Sequence, residues 1–337
     1  MFTGKGGVGK TSVVAGCALS AAKAGRRPLV VELGHRASLE AVFAPADGAK
    51  SGVTPRVDYE AREVTPGVHA LNLDFEPALI EYLEDNLKLK RLVRAVTRNK
   101  PLMRFFQAAP SVGEVATLHK LAALEAERDA DGRPRWDPIL VDLDATGHAL
   151  MLLNLPRVMD GLIGNGPMRG LIDGFSQLLS DPQRCALNLV TLARELPAQE
   201  TLELYEKLER DHAVPLGVCV INRVPSRPFS DELATRLEEL AAANADLAST
   251  HPAAARALVV AERAQSRHAR AREQISRLQK AIDLPLVHLP ACAGGLDVDT
   301  LRRFGDAVLA RGEVKVELES ASRPTPAASS PASGGAQ

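Results

Sequence analysis

The opening residues constrain this chain more than any other stretch. Gly4-Lys5-Gly6-Gly7-Val8-Gly9-Lys10-Thr11-Ser12 follows the spacing G-x-x-x-x-G-K-[ST], with Gly4, Gly9, Lys10 and Thr11 at the fixed positions. Glycines let the backbone curl so that successive N–H groups converge on the oxygens of an anion. The lysine and hydroxyl that follow suit a nucleoside triphosphate: Lys10 reaches the β- and γ-oxygens, and Thr11 ligates Mg²⁺. Residues 12–24 read as a helix whose positive N-terminal end faces the same phosphates. Such a loop hangs from a buried strand. Only Met1, Phe2 and Thr3 precede Gly4, fewer than the roughly five residues of a typical strand. The expectation is that the native protein carries further β-forming residues upstream.

Downstream, short apolar runs alternate with helical patterns. Residues 28–32, 68–73, 137–142, 186–191, 217–222 and 284–289 read as strands, most of them apolar throughout, as strands buried on both faces are. Residues 44–67 read as loop, with a strand possible at 57–64. Helical spacing returns at 77–125, including a basic stretch with Lys88, Lys90, Arg91, Arg94 and Arg98, and again at 150–185, 197–210, 230–282 with a break near 249–252, and 298–311. An edge strand is allowed at 314–318. From about Ser320 the composition of Ala, Ser, Pro and Gly predicts a disordered tail, 320–337. This order predicts an α/β fold of the P-loop NTPase type: a doubly wound, mostly parallel sheet in one domain, 1–319. The helical stretches 77–125 and 150–185 are too long for simple crossovers and are expected to form an inserted helical subdomain above the nucleotide.

Two strand ends carry polar groups at the edge where open α/β sheets bind ligands. Pro28-Leu-Val-Val-Glu32 ends in a carboxylate, and so does Asp137-Pro-Ile-Leu-Val-Asp142. The second has the Walker B form, in which the aspartate holds the Mg²⁺ shell through water. Asn222-Arg223 closes a third strand as a polar pair.

Composition removes other classes. A net charge of −1 over 337 residues offers no basic field for nucleic acid or an anionic membrane. Cys17, Cys185, Cys219 and Cys292 are scattered, with no C-x-x-C, so neither a disulfide framework nor a zinc knuckle can be read from them. No apolar run approaches the length of a membrane span and no signal peptide opens the chain, which reads as cytoplasmic.

Together these blocks resemble the ArsA-type ATPases, the family of the arsenite-pump ATPase and of the ATPase that targets tail-anchored membrane proteins. The resemblance runs from Thr3 to Leu309. The G-K-G-G-V-G-K-T form of the loop, with its extra lysine, is that family's. The switch I motif D-P-A-H-S falls on Glu32-Leu33-Gly34-His35-Arg36. The switch II motif falls on Asp142 to Pro156, keeping Thr146, Gly147, His148, Leu150, Leu152, Leu153, Leu155 and Pro156. Asn222 and the loop from Pro290 to Gly295 fall where the family holds adenine.

The resemblance implies a dimeric Mg-dependent ATPase, either a homodimer or a heterodimer with a paralogue. Lys5 would reach the nucleotide of the facing subunit, Glu32 would orient the attacking water, and His35 and His148 would organise the switches. ATP and Mg²⁺ are the implied cofactors. The partner of the helical subdomain would be a membrane protein or a hydrophobic segment, and no nucleic acid. Glu32 stands where the family has aspartate, Asp144-Ala145 where it has Ala-Pro, and Ala193-Arg194 where it often has Pro-Glu. Three outcomes follow: an ATPase that drives anion export, a nucleotide-gated carrier of hydrophobic segments, or a nucleotide-binding regulatory subunit with little turnover. The first lacks the converging thiolates that As(III) prefers. Positioning ATPases and iron–sulfur reductases fit less well, for want of an amphipathic anchor or paired cluster ligands.

Overall fold

The computed structural model describes residues 1–34, 38–44, 56–86, 99, 101, 103–104, 111–143, 146–160, 167–211, 214–243, 247–292 and 295–310. Eight strands form one sheet: β1 (Phe2–Thr3), β2 (Leu29–Leu33), β3 (Arg62–Thr65), β4 (Val68–Leu73), β5 (Ile139–Asp142), β6 (Leu187–Leu192), β7 (Leu216–Val224) and β8 (Leu286–Pro290). Their order is β3-β4-β2-β5-β1-β6-β7-β8. Every neighbouring pair is parallel except β3–β4, an antiparallel edge. The expected strand at 57–64 is thus shorter and later, at Arg62–Thr65. Its residues are exposed or only partly buried, so no apolar run marks it.

The remaining expected strands lie within two residues of their observed bounds. Fully buried parallel strands are apolar on both faces, so Leu29, Val30 and Val31 are all inaccessible to solvent. The two residues of β1 lie directly before the Gly4–Thr11 loop. Phe2 pairs with Asp142 on one side and Asn188 on the other, at the middle of the sheet.

Helices cover both faces. On one lie α1 (Lys10–Lys23) and α11 (Val298–Leu309), packed against each other and the sheet through Val13, Val14, Cys17, Leu301, Phe304 and Val308. On the other lie α3 (Phe75–Asn86), α4 (Val112–Ala126), α5 (Thr146–Asp160), α6 (Pro167–Ser180) and α7 (Glu195–Asp211). There α3 packs on α4, α4 touches α5 and α6, and α5 lies along α6. Leu79, Leu118, Leu152, Leu153, Ile172 and Phe175 are among the buried side chains of that layer. Burial of each such side chain contributes about 1.5–3 kcal/mol, so these helices are fixed by their apolar faces.

A short α2 (Ser38–Phe43) follows β2. Beyond β7 come α8 (Asp231–Ala243), α9 (Leu247–Thr250) and the 30-residue α10 (Pro252–Ala281). The expected break near 249–252 is the start of α10, where Pro252 occupies the first turn and its missing N–H costs nothing. The basic stretch at 88–98, the edge strand at 314–318 and the tail at 320–337 lie outside the described residues. None of the described helices is long and apolar enough to cross a membrane.

Candidate nucleotide site

The loop between β1 and α1 sits at the C-terminal edge of the sheet, and close packing dictates its glycines. A Cβ on Gly4 would lie 2.0 Å from the Val190 carbonyl oxygen of β6. Gly9 has φ 91°, and a Cβ there would lie 2.3 Å from Nδ2 of Asn222. Both distances are far inside contact, so the motif's glycines answer to neighbouring strands as well as to the anion.

Within the loop, the Lys10 ammonium donates to the Gly4 carbonyl at 3.1 Å and to the Lys5 carbonyl at 3.4 Å. It thus lies across the loop's mouth. Val8 is buried and anchors the loop in the core shared with α1. Gly6, Gly7 and Ser12 complete the curve into α1, whose backbone ladder begins with Val13 N–H donating to the Gly9 carbonyl at 3.1 Å.

The metal-binding expectation named Thr11 and Asp142, and the fold brings them together. The Thr11 hydroxyl donates to Oδ2 of Asp142 at 2.6 Å, across 131 residues of sequence. Asp142 is buried at the end of β5. A hydroxyl and a carboxylate are the hard oxygen donors that suit Mg²⁺. Among the described residues no group of three or more His, Cys, Asp and Glu could hold a metal ion.

Glu32 lies beside Asp142, since the two are register partners on the adjacent strands β2 and β5. It is only 3% exposed. Its carboxylate accepts from the Ser38 N–H at 3.0 Å and the Leu39 N–H at 3.5 Å, so it caps the first turn of α2. Burial pushes the Glu32 pKa up, the Ser38 and Leu39 hydrogen bonds pull part of that rise back, and the charge on Asp142 adds to it. The longer side chain, compared with aspartate, gives the carboxylate the reach to satisfy α2.

Lys5 is held within its own chain. Its Nζ lies 2.5 Å from Oε1 of Glu200 in α7, with the two side chains 34% and 36% exposed. Asn222, at the end of β7, donates from Nδ2 to the Val8 carbonyl at 2.8 Å and accepts the Arg223 N–H on Oδ1 at 2.9 Å. It therefore fastens the phosphate loop to β7. Pro290 ends β8 opposite Val224, next to that corner.

Thr146, Gly147 and His148 form the first turn of α5, which begins ahead of the helical spacing expected from residue 150. Gly147 is exposed. His35, Asp144 and Ala145 lie outside the described residues. Glu200 and Arg223 belong to the site's surroundings and were not singled out as site residues from sequence. For Arg223 the signal was the polar pair closing a buried strand. Glu200 had none, because it meets Lys5 across 195 residues.

A sequence model of the family described as "Anion-transporting ATPase" matches residues 1–166. That match covers the loop, Glu32, Asp142 and the first turn of α5. Residues 1–166 are thus similar to the ArsA-type ATPase family. The chain is 28% identical over 325 residues to the "ATPase BagA" of Mycobacterium tuberculosis, covering 93% of the chain and 92% of that relative. It is 29% identical over 223 residues to the "Arsenical pump-driving ATPase" of Escherichia coli, covering 61% of the chain and 36% of that relative. With the protein of the same name from Acidiphilium multivorum the identity is 31% over 224 residues, again 61% and 36%. The matched stretch thus spans about a third of the length of those pump-driving proteins.

Proposed function

We propose that the chain hydrolyses ATP with Mg²⁺ as a face-to-face dimer, and that its nucleotide state is relayed to the helices α3 to α6. The observation that carries the reading is the 2.6 Å contact between Thr11 and Asp142, in a loop whose own carbonyls hold the Lys10 ammonium. It supports a reading in which these two oxygens face the metal and Lys10 faces the phosphates. Thr11 and, through water, Asp142 would hold Mg²⁺, which neutralises charge on the β- and γ-oxygens when bound.

The chain's own groups do the remaining work. Backbone N–H groups of residues 4–11 and the N-terminus of α1 bind the phosphates. Lys10 leaves the Gly4 and Lys5 carbonyls for the triphosphate. Glu32, which here caps α2, orients the attacking water once the Ser38 and Leu39 amides release it. That exchange couples hydrolysis to the start of α2, as order–disorder switches do. Lys5 leaves Glu200 and reaches the partner subunit's nucleotide. Asn222 and Pro290 border the nucleoside.

Anion export of the arsenite type is the weaker reading. Cys17 and Cys219 are fully buried, and burial pushes both thiols up to about 12, which keeps them from acting as soft thiolate ligands.

The test is phosphate release together with solution mass. Wild type should release phosphate from ATP only with Mg²⁺ and should double in mass when saturated. Glu32→Gln should bind ATP and release no phosphate. Hydrolysis by Glu32→Gln at the wild-type rate would remove Glu32 from the mechanism, and a monomer at saturation would remove the dimer.

A further inference from the structure

Arg223 is one of two non-glycine residues with positive φ among the described residues, at 53°. Left-handed backbone costs a residue with a Cβ about 1–2 kcal/mol, so something holds it there. The holder is Asn222, whose Oδ1 takes the Arg223 N–H while its Nδ2 is fixed to the Val8 carbonyl. The result is directional. Arg223 is exposed, and its Nη2 lies 3.9 Å from the place a Cβ on Gly9 would occupy. No described residue offers its guanidinium a hydrogen bond or an ion pair. A free planar cation therefore stands over the start of α1.

Strand order says which end of a nucleotide would meet it. From β1, the strands β5 and β2 lie to one side and β6 and β7 to the other. Asp142 and Glu32, on β5 and β2, mark the side of the metal and the terminal phosphoryl group. A triphosphate laid along residues 4–11 in that direction leaves its nucleoside on the β7 side. The phosphates are already served by Lys10 and by the loop's N–H groups. A guanidinium beyond them meets the base, whose π face it can stack on.

We propose that Arg223 holds the purine by laying its guanidinium against the ring face, and that Asn222 acts on the base through Arg223 as a positioning residue. This rests on the reading of the Gly4–Thr11 loop as a nucleotide site. The residue fixes affinity for a nucleoside triphosphate over a bare polyphosphate.

Calorimetry with ATP, GTP and inorganic tripolyphosphate, each with Mg²⁺, on wild type, Arg223→Gly and Arg223→Lys tests it. Glycine accepts φ 53° without strain, so Arg223→Gly should melt no lower than wild type. Its affinity for ATP and GTP should fall about 2- to 30-fold, the range expected from loss of a cation–π contact. Its affinity for tripolyphosphate should stay within about twofold of wild type, since no cation–π contact is lost there. Arg223→Lys should lie between. Unchanged ATP affinity in Arg223→Gly overturns the proposal, and so does an equal loss of ATP and tripolyphosphate, which would make Arg223 a phosphate ligand. Wild type that binds neither would overturn the loop reading and this inference with it.

Discussion

Gly9→Ala offers a worked test of the contact between the phosphate loop and β7. The substitution carries two costs. At φ 91° a Cβ is strained against its own backbone, by about 1–2 kcal/mol. The same Cβ would stand 2.3 Å from Nδ2 of Asn222, so the amide must move and its bond to the Val8 carbonyl is lost. Leaving those buried groups unpaired costs about 1–3 kcal/mol. The sum is about 2–5 kcal/mol. Asn222→Ala loses the same hydrogen bond, about 1–3 kcal/mol, but opens the space the Cβ needs. In the double variant Gly9→Ala therefore adds only its backbone strain. The pair should destabilise less than the sum of the singles, by about 1–3 kcal/mol. Urea unfolding followed by far-UV circular dichroism measures all four corners of the cycle, provided the slope with denaturant is the same in each. Additive costs would refute the reasoning, because they would mean that the alanine and the asparagine never compete for one space.

Other expectations follow from the same geometry. The folded chain favours protonated Glu32, so this residue's contribution to stability is complete below its ordinary value of 4.5 and is lost as pH rises through the raised value. Glu32→Gln should flatten that slope in urea midpoints taken across the acid range, and an unchanged slope would mean burial does not perturb the carboxyl. Glu200→Gln frees the Lys5 ammonium. A one-third-exposed pair contributes no more than about 1 kcal/mol, so the variant should melt like wild type but form more dimer at a given ATP concentration by light scattering; less dimer would contradict the role given to Lys5. Cys17 and Cys219 are fully buried while Cys185 and Cys292 are partly accessible. A thiol reagent should therefore modify the second pair first in the native protein and reach all four only on unfolding. Rapid native labelling of Cys17 would contradict the packing of α1.

What sequence made legible was whatever local pattern decides. The run 28–32 reads as a strand because a parallel strand covered on both faces has no polar side to show, and Leu29–Leu33 is that strand. The glycine spacing of residues 4–11 reads as a tight loop because backbone curvature is a local property, and Gly7 and Gly9 there have φ of 84° and 91°. Helix α11 is set by its own periodicity, and the side chain of Asp297 caps it by accepting the Thr300 N–H at 2.6 Å.

Pairings that form only when distant segments meet stayed hidden. Asn222 reaches Val8 across 214 residues, and Lys5 reaches Glu200 across 195. Glu32 looked from sequence like a carboxylate facing the nucleotide. The fold also gives it the amides of α2 to cap, a task its position at a strand end did not suggest. The antiparallel edge β3 was blurred because a strand that is exposed or only partly buried lacks the apolar run that marks the central strands.

The most direct measurement is calorimetric titration of the purified chain with ATP in the presence of Mg²⁺, run beside Lys10→Ala. Saturable binding by wild type, with none by Lys10→Ala at the same concentrations, is the predicted result. Wild type that takes up no ATP, or a Lys10→Ala variant that binds it equally well, would contradict the assignment of residues 4–11 as the phosphate loop.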